Sequence, residues 1–378
     1  MTESTKINPQ EFGFERSPFT NVATAESAKI WAGMEDTKEF LQDVIDSVRP
    51  DDIGEREFVI IHGSYGGGKT HAFQYFKNQV EKSGRGFAFF ASRVRIDDKA
   101  SFSELAKTIV SEHRAMLPDL VSHVQRAVER AVYETREESG DTADQAARQK
   151  RAINKLVDND CRQLVEDFVF RGSADADKLV ELVIGGKQSD HTAVSRFSAL
   201  LGAMTMPIGD CPAKFDAVYL FLDEVESILD IGYKWVFSFF SALRGLIDST
   251  AGYHCAIVMA FSTDAARLEA ELSDFLRQRL TRALFEMREL EDDEGKNFIK
   301  EFLDAHRASP ADAGEEFAPF SEGVIDEILE RHNEVVPRKL ILDMTRVFER
   351  AVRRGGIQPG EEIPTQMAKD ILAKMPPL

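Results

Sequence analysis

Gly63-Ser-Tyr-Gly-Gly-Gly-Lys69-Thr70 decides how the rest of this chain is read. The stretch completes the pattern Gly-x-x-x-x-Gly-Lys-Thr. It follows the apolar run Phe58-Val-Ile-Ile61 and opens an amphipathic run from Ala72 to Val80. Strand, loop and helix in that order predict a phosphate-binding loop rather than a glycine-rich turn that matches by chance. Gly63, Gly66, Gly67 and Gly68, with Ser64 and Tyr65 between them, let successive N–H groups crowd round a phosphate. The helix starting near Lys69 adds its partial positive end. Lys69 is expected to reach the β- and γ-phosphates, the Thr70 hydroxyl to hold Mg²⁺, and His71 to flank the loop. The loop predicts binding of a nucleoside triphosphate.

A second apolar run, Val218-Tyr-Leu-Phe-Leu222, has strand character and ends in Asp223-Glu224. A buried strand that delivers two carboxylates at its C-terminal edge, downstream of a phosphate loop, has the Walker B arrangement. Asp223 is the expected metal residue, acting through water, and Glu224 the general base for an attacking water. The pair favours a hydrolase over a passive nucleotide binder.

Composition narrows the class. The chain has 378 residues, 43% hydrophobic and 30% charged, which suits a globular protein of two or three domains or one large core with insertions. No segment approaches the roughly 20 apolar residues needed to cross a bilayer. The start, Met1-Thr-Glu-Ser-Thr-Lys-Ile, lacks a basic and apolar leader pattern. Cys161, Cys211 and Cys255 stand in no metal-ligand spacing, and the eight histidines show none either. The expectation is a cytoplasmic protein with reduced thiols and no membrane partner. A net charge of −18 argues against a whole surface that coats DNA, while leaving room for a local basic groove.

Periodicity sets out the organisation. Residues 1–36 read as an N-terminal arm, and Thr37 to Val48 as a helix. Further strands are expected at Phe87–Ala91, Ala256–Phe261 and Ala283–Met287. Between the second strand and Walker B, a region of about 101–213 reads as a helical insertion. Its expected helices are Ser103–Met116, Leu120–Glu137 and Ala146–Phe170, with a break at Ser139–Asp144. Helices are also expected over Tyr233–Ile247 and Asp264–Leu280. The core thus covers 37–290. An all-helical unit follows over 291–356, with Pro337 in the first turn of its last helix. Residues 357–378 form a short tail with one helix around Thr365 to Lys374. The predicted fold class is α/β: a three-layer P-loop NTPase with a parallel sheet, a long helical insertion and an all-helical lid.

The order of phosphate loop, Walker B, polar-ended strand, arginines and helical tail resembles an AAA+ ATPase. The version Gly-Ser-Tyr-Gly-Gly-Gly-Lys-Thr-His and the sequence Leu-Asp-Glu-Val-Glu look most like the branch of origin-recognition initiators, transposition regulators and ATP-binding proteins of BREX-type phage defence. The similarity runs from about Phe12 to Gly355. It implies ATP as the nucleotide, and no guanine-reading Asn-Lys-x-Asp motif occurs. Ser262 and Thr263 match sensor 1, which orients the attacking water. Arg338 in Val336-Pro-Arg-Lys-Leu340 matches sensor 2, which touches the γ-phosphate from the lid. The resemblance puts an arginine finger among Arg277, Arg279 and Arg282, with Arg279 preferred and Arg282 next.

Trp31-Ala-Gly-Met-Glu35 sits where relatives carry a Gly-Arg-Glu box beside the adenine. Here Met34 replaces the arginine, which leaves Trp31 or Met34 to flank the base, or Trp31 to serve as a core residue. Arg93, Arg95 and Lys99 fall where initiators insert a DNA-contacting element. A solvated edge strand is the alternative, and Asp97-Asp98 weakens the DNA case. Arg148-Gln-Lys-Arg151 and Arg353-Arg354 read as solvated helix faces.

Three functions are compatible with these residues. The first is an ATP-driven assembly with nucleotide at its subunit interfaces, acting on DNA or a DNA-processing partner. The second is a monomeric or partner-dependent ATP switch without DNA contact. A small-molecule kinase is disfavoured, because the acidic pair, polar-ended strand and lid suit water-directed hydrolysis.

Overall fold

A strand buried on both faces needs an uninterrupted apolar run, and the chain supplies four. In the computed structural model these become β1 (Arg56–His62), β2 (Gly86–Ala91), β3 (Ala217–Leu222) and β4 (Cys255–Phe261). The two-residue β5 (Phe285–Glu286) completes a sheet of order β2-β3-β4-β1-β5. The β1–β4, β3–β4 and β2–β3 pairs are parallel, so these strands leave the sheet at one carboxyl-terminal edge. Every residue of β3 and β4 is buried. The structure describes residues 7–15, 18, 27–50, 56–94, 101–136, 144–157, 159–186, 188–230, 232–272, 274–309, 315–353 and 356–375. Arg95, Asp97, Asp98 and Lys99 lie outside them, as do most of the expected break at Ser139–Asp144 and Arg354 and Gly355.

The helices are α1 (Glu35–Ser47), α2 (Lys69–Ser83), α3 (Phe102–Glu112), α4 (Leu117–Arg136), α5 (Gln145–Leu156), α6 (Asn159–Arg171), α7 (Ala176–Ile184) and α8 (Asp190–Thr205), followed after β3 by α9 (Tyr233–Ser249). Beyond β4 come α10 (Ala265–Glu271), α11 (Asp274–Arg277), α12 (Asp292–Asp304), α13 (Glu322–Glu330), α14 (Pro337–Arg353) and α15 (Thr365–Leu372).

Three expected helices are interrupted. Ala146–Phe170 divides into α5 and α6 because Val157 is extended, at φ −132° and ψ 137°. Asp264–Leu280 divides where Leu272 takes ψ 122°. Ser103–Met116 ends as an α-helix at Glu112 and finishes in a 3-10 turn over Arg114–Met116. The last strand is also shorter than Ala283–Met287.

The chain forms two compact units. One gathers residues 41–62 and 79–285, the other residues 1–40, 63–78 and 286–378. The first unit holds the sheet strands β1 to β4 and the insertion helices α3 to α8 in one apolar core. Phe58, Phe89, Phe102, Phe168, Phe197, Leu222 and Ile257 all belong to it. The insertion therefore shares a core with the sheet instead of forming a separate module.

The second unit has its own core around Phe298, Ile325, Leu340, Val347 and Phe348. Ala368, Ile371 and Leu372 of α15 are buried in the same core, as is Phe14 near the N-terminus. The α15 helix and the described residues around Phe14 are thus packed parts of this unit. Pro337 begins α14, where its missing N–H costs nothing. Among the described residues no helix is long and apolar enough to cross a membrane.

Candidate nucleotide site

Within the second unit the phosphate loop, residues 63–68, leads into α2 at Lys69. Gly66 and Gly68 take φ of 88° and 97°, left-handed angles that a side chain would strain. A Cβ on Gly66 would also stand 3.0 Å from Arg338 Cβ. The Lys69 side chain is folded into the loop, its Nζ donating to the carbonyls of Gly63 (3.1 Å) and Ser64 (2.9 Å). Lys69 is 5% exposed, so its ammonium is held in a cradle of backbone carbonyls rather than in water. Ser64 Oγ is buried and finds no hydrogen-bond partner among the described residues. An orphaned hydroxyl, a buried ammonium and a glycine cradle at a helix start fit a phosphate group.

Arg338 of α14 lies against this loop. Arg338 N donates to Gly66 O (3.3 Å), its guanidinium sits 4.9 Å over the Tyr65 ring, and Nη1 donates to Tyr65 Oη at 2.9 Å. Tyr65 is 68% exposed, so this contact is made at the surface. Stacking and hydrogen bonding at such a site together contribute about 1 kcal/mol. A double-mutant cycle of Tyr65→Leu and Arg338→Met should return a coupling of that size in thermal unfolding. A coupling of zero would show that the contact holds nothing.

Trp31 and Met34 take different places. The Trp31 ring packs edge-on against Tyr75 (5.0 Å) and Phe76 (5.7 Å) of α2, and its Nε1 donates to Gly33 O. His71 Nε2 donates to Ile30 O at 2.8 Å, and burial pushes the His71 imidazole below its ordinary pKa. Trp31 and His71 therefore tie the arm to the first turns of α2. Met34 has φ 54°, and its Sδ is 3.7 Å from where a Gly68 Cβ would be, so it borders the phosphate loop. Gly33 N is held by Glu301 Oε2 at 2.6 Å.

In the first unit Asp223 extends the sheet ladder, its N donating to Ala91 O at 2.9 Å, and it is 3% exposed. Glu224 follows at φ 49° and ψ 39°, a strained conformation for a non-glycine residue. Its amide donates to Asp223 Oδ1 (3.0 Å), and its carboxylate lies 3.6 Å from Arg93 Nε. That ion pair is exposed on both sides and so contributes little to stability. Glu226, two residues on, accepts from Ser262 N at 3.0 Å. This bond links the Asp223–Glu224 turn to the end of β4, where Ser262 and Thr263 stand half-buried. Glu226 was absent from the candidates drawn from sequence. The second glutamate of Leu-Asp-Glu-Val-Glu was its only signal.

The finger candidates differ in how they are held. Arg279 makes a forked pair with Asp248 at the end of α9 (2.9 and 3.1 Å). Arg279 is the first cause holding the Asp248 carboxyl below its usual range. Arg282 grips the largely buried Glu57 (3.1 and 3.2 Å) and Asp43 O (3.3 Å), and Glu57 also accepts from Ser47 Oγ and Thr281 Oγ1. Arg277 Nε donates to Leu272 O. Arg282 belongs to a buried network, whereas Arg279 rests on an exposed carboxylate.

No protein-family model and no curated protein matches the chain in sequence. Among solved structures, the Orc1 protein of Aeropyrum pernix in complex with DNA aligns with a TM-score of 0.53 at 10% identity, covering 95% of this chain and 69% of that one. The chain has the AAA+ fold. Cdc6p of Pyrobaculum aerophilum (TM-score 0.43, 12% identity, 93% of this chain and 67% of that one) and domain III of the Thermotoga maritima replication initiation protein DnaA (0.42, 14%, 98% and 98%) are more distant and add no weight. Strands β1, β3 and β4 run parallel, so their carboxyl-terminal ends share one edge of the sheet.

Proposed function

We propose that this chain is an ATP hydrolase of AAA+ type that drives nucleotide-dependent assembly or remodelling of a DNA-associated complex. The observation that carries the reading is the phosphate loop itself. It combines a buried Lys69, an orphaned Ser64 hydroxyl and the lid residue Arg338 against Gly66, all in one unit. The loop amides and Lys69 hold the phosphates of ATP. Thr70 and Asp223 are the residues that would hold Mg²⁺, which would supply charge neutralisation on those phosphates. Glu224 takes a proton from the attacking water, and Ser262 or Thr263 keeps that water aligned. Arg338 senses the γ-phosphate and carries the lid with it. Arg279 reaches the nucleotide of an adjacent copy, with Arg282 as second choice.

The DNA-associated part of the reading draws on the solved Orc1 relative, which was captured with DNA. The net charge of −18 favours a second reading, in which the chain is a partner-dependent ATP switch without DNA contact. Lys69→Ala tests the shared premise. Binding of a fluorescent ATP analogue should weaken by about 100-fold or more, since the ammonium is lost from the phosphate cradle. Unchanged binding would remove the proposed function.

A further inference from the structure

A cavity of about 280 Å³ lies within the helical insertion, far along the chain from the phosphate loop. It is a half-open pocket lined by the C-terminal end of α5, the first turns of α6, the end of α8 with the following Met206–Ile208, and Tyr253. Leu156, Val165, Ala203, Met206 and Ile208 give it apolar walls. Two cations, Lys155 and Arg162, line it, and among the described lining residues there is no carboxylate. Arg162 Nε is buried without a hydrogen-bond partner, and Arg162 has no ion pair among the described residues. An unpaired, partly desolvated guanidinium is costly unless an acceptor completes it.

Charge on the flanking α5 has the same sign, while α6 also brings Asp160, Glu166 and Asp167 outside the lining. Helix α5 carries Arg148, Lys150, Arg151 and Lys155 with no acidic residue, in a chain whose net charge is −18. Lys155 and Arg162 are the charges on the described lining itself, and a cationic lining attracts anions. The packing that forms the cavity also depends on Gly202. A Cβ there would meet Cys161 Sγ at 2.5 Å and the Tyr253 ring at 2.7 Å, so only glycine lets α8 approach α6 this closely. Cys161 Sγ and Tyr253 Oη are 3.3 Å apart and satisfy each other, which leaves Arg162 as the group that wants a partner.

We infer that this cavity is a binding site for a small amphipathic anion, a carboxylate or phosphate monoester carried on an apolar body. Arg162 and Lys155 hold the anionic head, and the aliphatic walls of α6 and α8 hold the body. The volume stands just below the range of sites that take drug-sized ligands, so the ligand is compact. None of the described lining residues belongs to the nucleotide loop. Tyr253 precedes β4 and so stands at the amino-terminal edge of the sheet, whereas β1 exits into the phosphate loop at the carboxyl-terminal edge.

The test uses the full chain, with octanoate and octanol as probes that share an apolar body and differ in the head. Calorimetric titration should give one octanoate site, with octanol weaker by about tenfold or more. Arg162→Met should reduce octanoate to the affinity of octanol. Ala203→Leu, which fills the cavity, should weaken both probes, with circular dichroism checking that the variant is folded. Saturating ADP should leave octanoate binding unchanged. The inference is overturned if octanoate fails to bind at about 10 mM, if octanol binds equally well, or if ADP displaces octanoate.

Discussion

Glu224→Gln should leave ATP binding intact and lower turnover by about 10²- to 10⁴-fold, the range that a positioned general base contributes. Glutamine keeps the shape and polarity of the side chain but cannot accept the proton of water. The strained backbone at φ 49° is unchanged by the substitution, so the turn that Asp223 anchors should persist. Rapid-quench phosphate release beside equilibrium binding of an ATP analogue separates the two effects. A variant that turns over at the wild-type rate would assign the base elsewhere.

Arg279→Ala should lower turnover by about 10³-fold while each subunit still binds nucleotide, because a finger acts on a neighbour's phosphate and not on its own. The structure sharpens the choice between the candidates. Arg279 leaves only an exposed carboxylate, Asp248, when it moves, and breaking such a surface pair costs about 0–1 kcal/mol. Removing Arg282 strips the largely buried Glu57 of its cation, which costs about 3–5 kcal/mol in comparable cases. Arg282→Ala should therefore be read first as a loss of stability, seen in thermal unfolding. Mixing Arg279→Ala with Lys69→Ala subunits provides the check. Sites formed by an intact loop and an intact finger should restore activity in the mixture, and a mixture as inactive as its parts would count against a shared site.

The sheet was legible because buried parallel strands are continuous apolar runs. Phe58–Ile61 and Val218–Leu222 fall within β1 and β3 with only end residues missing. Helix presence was also legible from periodicity, but helix breaks were not. Val157 and Leu272 are ordinary apolar residues that turn extended, and no glycine or proline announces them. The local motifs could be found by eye because their chemistry depends on contiguous residues. Contacts between distant segments could not. Neither Tyr65 with Arg338, nor Arg279 with Asp248, nor Glu226 with Ser262 leaves a trace in spacing. The second unit's composition is the clearest case. Residues 63–78 cluster with the C-terminal helices rather than with the strands that flank them in sequence, which no linear reading of 37–290 as one core reveals.

The central claim is that ATP is hydrolysed at sites completed by a neighbouring copy. Steady-state phosphate release at saturating Mg²⁺ and ATP, followed across a wide range of protein concentration, tests it most directly. Mg²⁺-dependent release is expected, with a specific activity that rises with protein concentration and then levels off. Specific activity that stays flat on dilution, or no release at any concentration with or without duplex DNA, would contradict it.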